Sequence, residues 1–189
     1  MTEQLTVAVI IGSTRAGRFG PTVANWFVGQ ARQRSDIEID LIDLAEVGLP
    51  AVIDHQPNAA VVEYVGRIDR ADAFVVVTPE YNHGYPASLK QAIDVAYHEW
   101  RAKPVAFVSY GGMAGGLRSV EQLRQVFAEL HATSVRDSVS FHAAHKGFDA
   151  AGEPVDPTGS NAAAKTMLDQ LVWWANALRT ARAANPYAA

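Results

Sequence analysis

Residues 7–20 read VAVIIGSTRAGRFG. The five apolar residues 7–11 run without a polar break, as in a parallel strand buried on both faces. A glycine, two hydroxyls and two arginines follow at once, and Gly20-Pro21 marks the start of a helix. A strand that turns through a glycine into a helix N-terminus leaves backbone N–H groups free to hold an anion. The loop of residues 12–19 is therefore expected to bind a phosphate.

The bulk composition sets the outer limits. A chain of 189 residues can bury a proper core as one domain, residues 1–189. The formal net charge is -4 and the charges are scattered, which argues against a nucleic-acid partner. There is no cysteine, so disulfides, thiolate catalysis, Cys-ligated zinc and Fe–S clusters are excluded. Any redox chemistry must come from a bound organic cofactor or another metal. The apolar run is too short to span a bilayer, and MTEQLTVAVIIGS lacks a basic leader, so the expected place is the cytoplasm, with no membrane partner.

Outward from the opening stretch, strand and helix alternate. The first strand is Leu5–Ile11 and the first helix residues 22–33, with Val23, Phe27 and Ala31 on one face. IEIDLIDL, residues 37–44, alternates as an edge strand does. Residues 45–58 read as a long surface loop, and a helix over Ala59–Arg70 turns Val62, Val65 and Ile68 inward. A third strand, residues 73–78, leads into PEYNHGYP, then a helix over 87–100 carries Leu89, Ile93, Ala96 and Trp100. The fourth strand, Pro104–Tyr110, ends in GGMAGG, and a helix over 117–130 follows. A fifth strand is expected over 133–141, then loop to residue 159. The last helix, residues 162–182, is capped by Ser160 or Asn161, with Leu168, Leu171, Trp174 and Leu178 buried and Trp173 outside that stripe. The pattern predicts an α/β fold with a parallel sheet and helices on both faces. In such a sheet the loops after strands one, three and four share the carboxyl edge, where ligands sit. Three separate loops thus become one site.

The first loop fails two familiar templates. Gly12 and Gly17 have Walker A spacing, but Arg18 and Phe19 stand where Lys and Ser/Thr are required. A G-x-G-x-x-G fingerprint is missing, and Asp43 as a ribose-binding acid competes with a simply solvated strand end. What remains is Gly12, Ser13, Arg15 and Arg18, a set suited to a terminal phosphate: hydroxyl and N–H donors with two fork-shaped cations. The alternative is surface arginines beside a turn.

GSTRAGR, then PEYN at residues 79–82, then SYGGMAGG at residues 109–116, in this order, resembles the NADPH-dependent FMN reductase family. The resemblance implies a flavodoxin-like three-layer sandwich, a five-stranded parallel sheet of order 2-1-3-4-5, with FMN as cofactor and NADPH or NADH as co-substrate. It implies that Ser13, Arg15, Arg18 and Gly20 anchor the FMN phosphate. Pro79, Glu80, Tyr81 and Asn82 would wrap the ribityl chain and ring edge, and Ser109, Tyr110, Gly111 and Gly112 would line the ring's other side. Hydride would pass from nicotinamide to flavin, then electrons to a small acceptor: quinone, azo compound, metal oxyanion, free flavin or oxygen. No acid, base or metal is assigned. A homodimer or homotetramer is implied. The alternative is a flavodoxin-type single-electron carrier.

Other readings stay open on the residues themselves. Tyr81 reads equally as a half-buried loop aromatic, Glu80 as a cap on the next helix, and the glycines as an ordinary strand-to-helix turn. Gln91 stands where the family pattern expects Asn, at a position read as structural. His142, His145 and Asp149 do not make a convincing metal set, and His83 is the histidine nearest the site.

Overall fold

The computed structural model describes residues 4–54 and 56–188; His55 and Ala189 of the tail lie outside the described residues. The sheet runs β2-β1-β3-β4-β5, with a sixth short strand, β6, also paired to β4. Strands β1 (Leu5–Ile11), β2 (Ile37–Asp43), β3 (Ala73–Pro79) and β4 (Pro104–Tyr110) are mutually parallel neighbours. The expected 2-1-3-4-5 order is borne out. The expected fifth strand is instead two pieces, β5 (Thr133–Ser134) and β6 (Val139–Phe141), both on β4. Between them the chain leaves the ladder, and Arg124 donates to the carbonyls of Val135 and Arg136 there.

The apolar runs in β1, β3 and β4 follow from a sheet covered twice. Alternate residues point to opposite faces. Val7, Val9, Ile11, Val75 and Val77 join one core with Val23 and Phe27 of α1 (Gly20–Ala31) and Met167 and Leu171 of α6 (Pro157–Ala184). Ala8, Ile10, Phe74 and Val76 join the other. There they meet Tyr64 and Ile68 of α3 (Ala59–Arg70), Leu89 and Ile93 of α4 (Ala87–Val95), and Phe127 of α5 (Leu117–Glu129). Each large side chain so buried contributes roughly 1.5–3 kcal/mol.

Several sequence expectations are corrected. On α3 the inward face is Val61, Tyr64 and Ile68, and Val62 is 58% exposed. On α6 the stripe is Ala164, Met167, Leu168, Leu171, Val172 and Ala175; Trp174 joins Trp173 on the outside. Helix α6 starts earlier than expected, because Pro157 fits its first turn and Asp156 accepts from the Gly159 N–H. Helix α4 stops at Val95, yet Ala96 and Trp100 are still buried. Trp100 Nε1 donates to the carbonyls of Ala96 (2.6 Å) and Ile93 (3.1 Å), taking up oxygens that a longer helix would have used. The loop after β2 opens with a one-turn helix, α2 (Leu44–Val47), ended by Gly48 at φ 73°. Gln91 holds this loop by donating to the Pro50 carbonyl at 2.8 Å, consistent with a structural role.

Lys103, at the opposite edge from the motif loops, is 6% exposed. Its Nζ donates to the carbonyls of Ile68 (3.1 Å) and Asp69 (2.6 Å), at the C-terminal end of α3, where a cation is favoured. Burial pulls its pKa from 10.5 down to about 8. The unfolded chain therefore binds the proton more tightly than the folded one, and stability rises with pH between these values. Measured against Lys103→Met in urea melts from about pH 7 to about pH 11, the parent should gain up to about 3 kcal/mol relative to the variant. A gap that stays flat with pH would refute this.

Candidate cofactor site

The site begins where β1 ends. Gly12 donates to the Val77 carbonyl at 2.9 Å, and a Cβ there would press on Leu89, so the chain turns off the sheet close to β3 and α4. Ser88 Oγ donates to the Gly12 carbonyl at 2.9 Å. The loop then closes on itself: Arg18 N donates to the Arg15 carbonyl, and Gly17 takes φ 68°. Gly20 opens α1 directly against β1 and β4. A Cβ on it would lie 2.9 Å from both Ile11 Cγ2 and the Tyr110 hydroxyl.

The loop after β3 makes a tight hairpin. Tyr81 and Gly84 exchange both backbone hydrogen bonds, and Asn82 (φ 50°) and His83 (φ 77°) take the left-handed conformation of a type I′ turn. The hairpin is tied to its neighbours. Tyr81 Oη and Ser13 Oγ lie 2.6 Å apart. Glu80 accepts from the Arg118 backbone N–H and pairs with its guanidinium, so it caps α5 and not the helix that follows it in sequence. Ser119 Oγ donates to the carbonyls of Pro79 and Gly84.

The glycines after β4 divide into two sets. Gly115 (φ 60°) and Gly116 (φ 85°) serve the turn itself: a Cβ on Gly116 would sit 2.7 Å from Ser109 Cβ and 2.9 Å from the Tyr110 N. Ser109 Oγ is turned inward onto the Gly115 carbonyl at 2.8 Å. Gly112 has nothing within 4 Å of its absent side chain. A fourth wall comes from the turn after β6: Ala143 and Ala144 donate to the carbonyls of Gly112 and Gly111.

Together these walls form a cleft of about 380 Å³, within the range of small-ligand sites. Of the residues expected from sequence, Arg15, Arg18, Pro79, Glu80, Tyr81, Tyr110, Gly111 and Gly112 line it. Ser13, Gly20, Asn82 and Ser109 do not. Ser13 and Gly20 lie behind the loop after β1, Ser109 lies inside its turn, and Asn82 is at the hairpin tip. Sequence reasoning missed Phe19, Ala144 and His145. The Phe19 ring meets His145 at 5.0 Å and Phe148 at 5.3 Å. A run of aromatics between 141 and 148 was the available signal. Arg15 is exposed, with its guanidinium 5.9 Å from the Tyr81 ring. A larger cavity of about 580 Å³ lies between the 50–58 loop and α3, but none of the three motif loops lines it.

The fit to a phosphorylated planar ligand rests on three features. The first is the uncovered glycine backbone at Gly112. The second is Arg15, an exposed cation at the mouth. The third is the Tyr110 hydroxyl. With Ser13 already bonded to Tyr81, it is buried with no hydrogen-bond partner among the described residues, and burial raises its pKa. No group of three metal-ligating side chains occurs among the described residues. His142 Nδ1 instead bonds the Met113 carbonyl, and Asp149 caps its own turn.

The doubly covered parallel sheet gathers a glycine loop, a proline-led hairpin and a glycine turn at its carboxyl edge, where sheets of this kind bind their ligands. The chain belongs to the NADPH-dependent FMN reductase family, which matches residues 5–146. It is 41% identical over 119 residues to an NAD(P)H-dependent FMN reductase of Schizosaccharomyces pombe, covering 58% of this chain and 60% of that one. It is 34% identical over 147 residues to a quinone reductase of Escherichia coli K12, covering 70% and 74%. Its fold is similar to that of FerB, a flavoenzyme NAD(P)H:(acceptor) oxidoreductase from Paracoccus denitrificans, with TM-score 0.73 and 23% identity over 91% of this chain and 98% of that one.

The two glycine sets predict opposite behaviour. Gly116→Ala should cost about 2–4 kcal/mol of stability, from its positive φ and the crowding at Ser109. Gly112→Ala should change stability by less than about 1 kcal/mol and weaken flavin binding instead. Thermal melts and flavin titrations of both variants check the split.

Proposed function

We propose that the chain is one FMN-binding domain that works as an NAD(P)H-dependent reductase in the cytoplasm, passing electrons to a small acceptor such as a quinone. The observation that carries the reading is the convergence of three family motifs on one cleft with an uncovered glycine floor and an exposed arginine at its mouth. FMN, when bound, supplies the hydride and electron chemistry. The chain's own residues bind and orient it. Arg15 and the N–H groups of residues 14–17 hold the phosphate, with Ser13 and Gly20 shaping the loop behind them. The hairpin of Pro79, Glu80, Tyr81 and Asn82 supports the ribityl side. Ser109 braces the turn that presents Tyr110, Gly111 and Gly112 to the ring. The quinone assignment draws on the relatives named quinone reductase, and the same mouth would take an azo compound, a metal oxyanion, free flavin or oxygen. The family match favours NAD(P)H turnover over a single-electron carrier.

We also propose a homodimer or homotetramer. What supports it is Trp173, 64% exposed and stacked edge-on with Trp174 at 5.1 Å on the outside of α6. Light scattering of the purified chain should give twice or four times the chain mass; a monomer would rule this out.

Added without oxygen to the FMN-loaded protein, NADPH or NADH should bleach the flavin band, and a quinone should restore it. FMN that stays oxidised would overturn the reductase reading. Arg15→Ala should weaken FMN binding by about 1.5–3 kcal/mol, the range for a hydrogen bond to a charged group, and leave riboflavin affinity unchanged. Equal FMN affinity in parent and variant would remove Arg15 from the phosphate site.

A further inference from the structure

We infer that Asp43 is a positioning residue for the cofactor phosphate and that it acts through Arg18, an inference that rests on the FMN reading. Asp43 is the last residue of the edge strand β2 and pairs in register with Ile11, the last residue of β1. The phosphate loop begins at the next position. Both carboxylate oxygens of Asp43 are taken up by Arg18, through its Nη1 and through Nη2 at 2.7 Å. The same Nη1 also donates to the Ser13 carbonyl at 2.9 Å. The Arg18 backbone N–H is used as well, on the Arg15 carbonyl at 3.1 Å. Both side chains are mostly buried, at 17% and 14% exposed.

The consequence is a division of labour between the two loop arginines. A guanidinium held fork-to-fork by a carboxylate has fixed geometry and little net charge to offer a third group. Bonding to Asp43 raises the Arg18 pKa, so it stays a cation within the pair. Arg18 therefore works as a strut. It ties the two ends of the loop, Ser13 and its own position, to the end of β2, and so sets the aim of the N–H groups between them. Arg15, with no carboxylate on it among the described residues, is left to meet the phosphate charge. Asp43 does one further thing: it accepts from the Ala45 N–H at 3.1 Å and caps α2.

Two roles for Arg18 make opposite predictions at Asp43. Were Arg18 the phosphate ligand, Asp43 would compete with FMN, and neutralising it would tighten binding. If Arg18 is the strut, neutralising Asp43 loosens the loop and weakens binding. Asp43→Asn separates these, because asparagine keeps one side-chain oxygen for the α2 cap while losing the charge and the second acceptor that Arg18 grips.

The experiment titrates flavin-free parent, Asp43→Asn, Arg18→Gln and the double variant with FMN and with riboflavin, following flavin fluorescence. The expected result is an FMN Kd raised roughly tenfold or more in each single variant, and no further in the double. Riboflavin Kd should stay within about twofold of the parent, since it lacks the phosphate the loop must meet. An Asp43→Asn variant that binds FMN as tightly as the parent, or tighter, overturns the inference. Parallel losses for FMN and riboflavin, with a lowered melting temperature, overturn it too, because they report general damage. Asp43→Ser, which keeps a capping hydroxyl for α2 and removes the carboxylate, decides the matter should Asp43→Asn fail to fold. A parent that binds neither flavin refutes the FMN reading itself; a parent that binds FMN beside an unaffected Asp43→Asn refutes only the role of Asp43.

Discussion

Strands β3 and β4 are buried along their whole length, and that constraint shapes everything above them. A strand with no water on either face must satisfy every backbone group through its neighbours. Parallel pairing does so, and it requires the chain to cross back over the sheet between strands. Every return then delivers the next loop to the same edge. The loop after β1, the hairpin and the glycine turn meet because each parallel crossover brings the chain back to the same edge. The site is thus a by-product of how the sheet is paired, refined by a few polar ties.

Those ties explain why the motif residues divide as they do. Some face the cleft, and others hold the ones that face it. Ser13, Ser109, Ser119 and Glu80 spend their hydrogen bonds on carbonyls, a tyrosine hydroxyl or a helix start within the protein. Gly20 and Gly116 leave out atoms that would otherwise collide with Tyr110 or Ser109. A motif in sequence therefore mixes contact residues with the braces behind them.

The strand order and both helical layers were legible because long apolar runs and helical stripes are local signals. The stripes failed where two faces compete. Val62 and Trp174 sit one step from the true inward positions Val61 and Ala175, and apolar identity alone does not separate neighbours that close. The split of the last strand was not legible, since it depends on Arg124 reaching across to the Val135 and Arg136 carbonyls. The same holds for the Asp43–Arg18 pair and the fourth wall at Ala144 and His145. Each joins residues far apart in sequence, with no spacing rule to announce them.

The hairpin at Tyr81 to Gly84 carries a last consequence. It is bolted to the loop after β1 through Tyr81, to β4 through the Glu80 N–H on the Tyr110 carbonyl, and to α5 through Glu80 and Ser119. The glycine turn is joined in the same way to the segment after β6. No wall of the cleft can swing without breaking bonds on two sides, so the vessel is stiff. A rim already held in place spares any bound molecule the cost of ordering it.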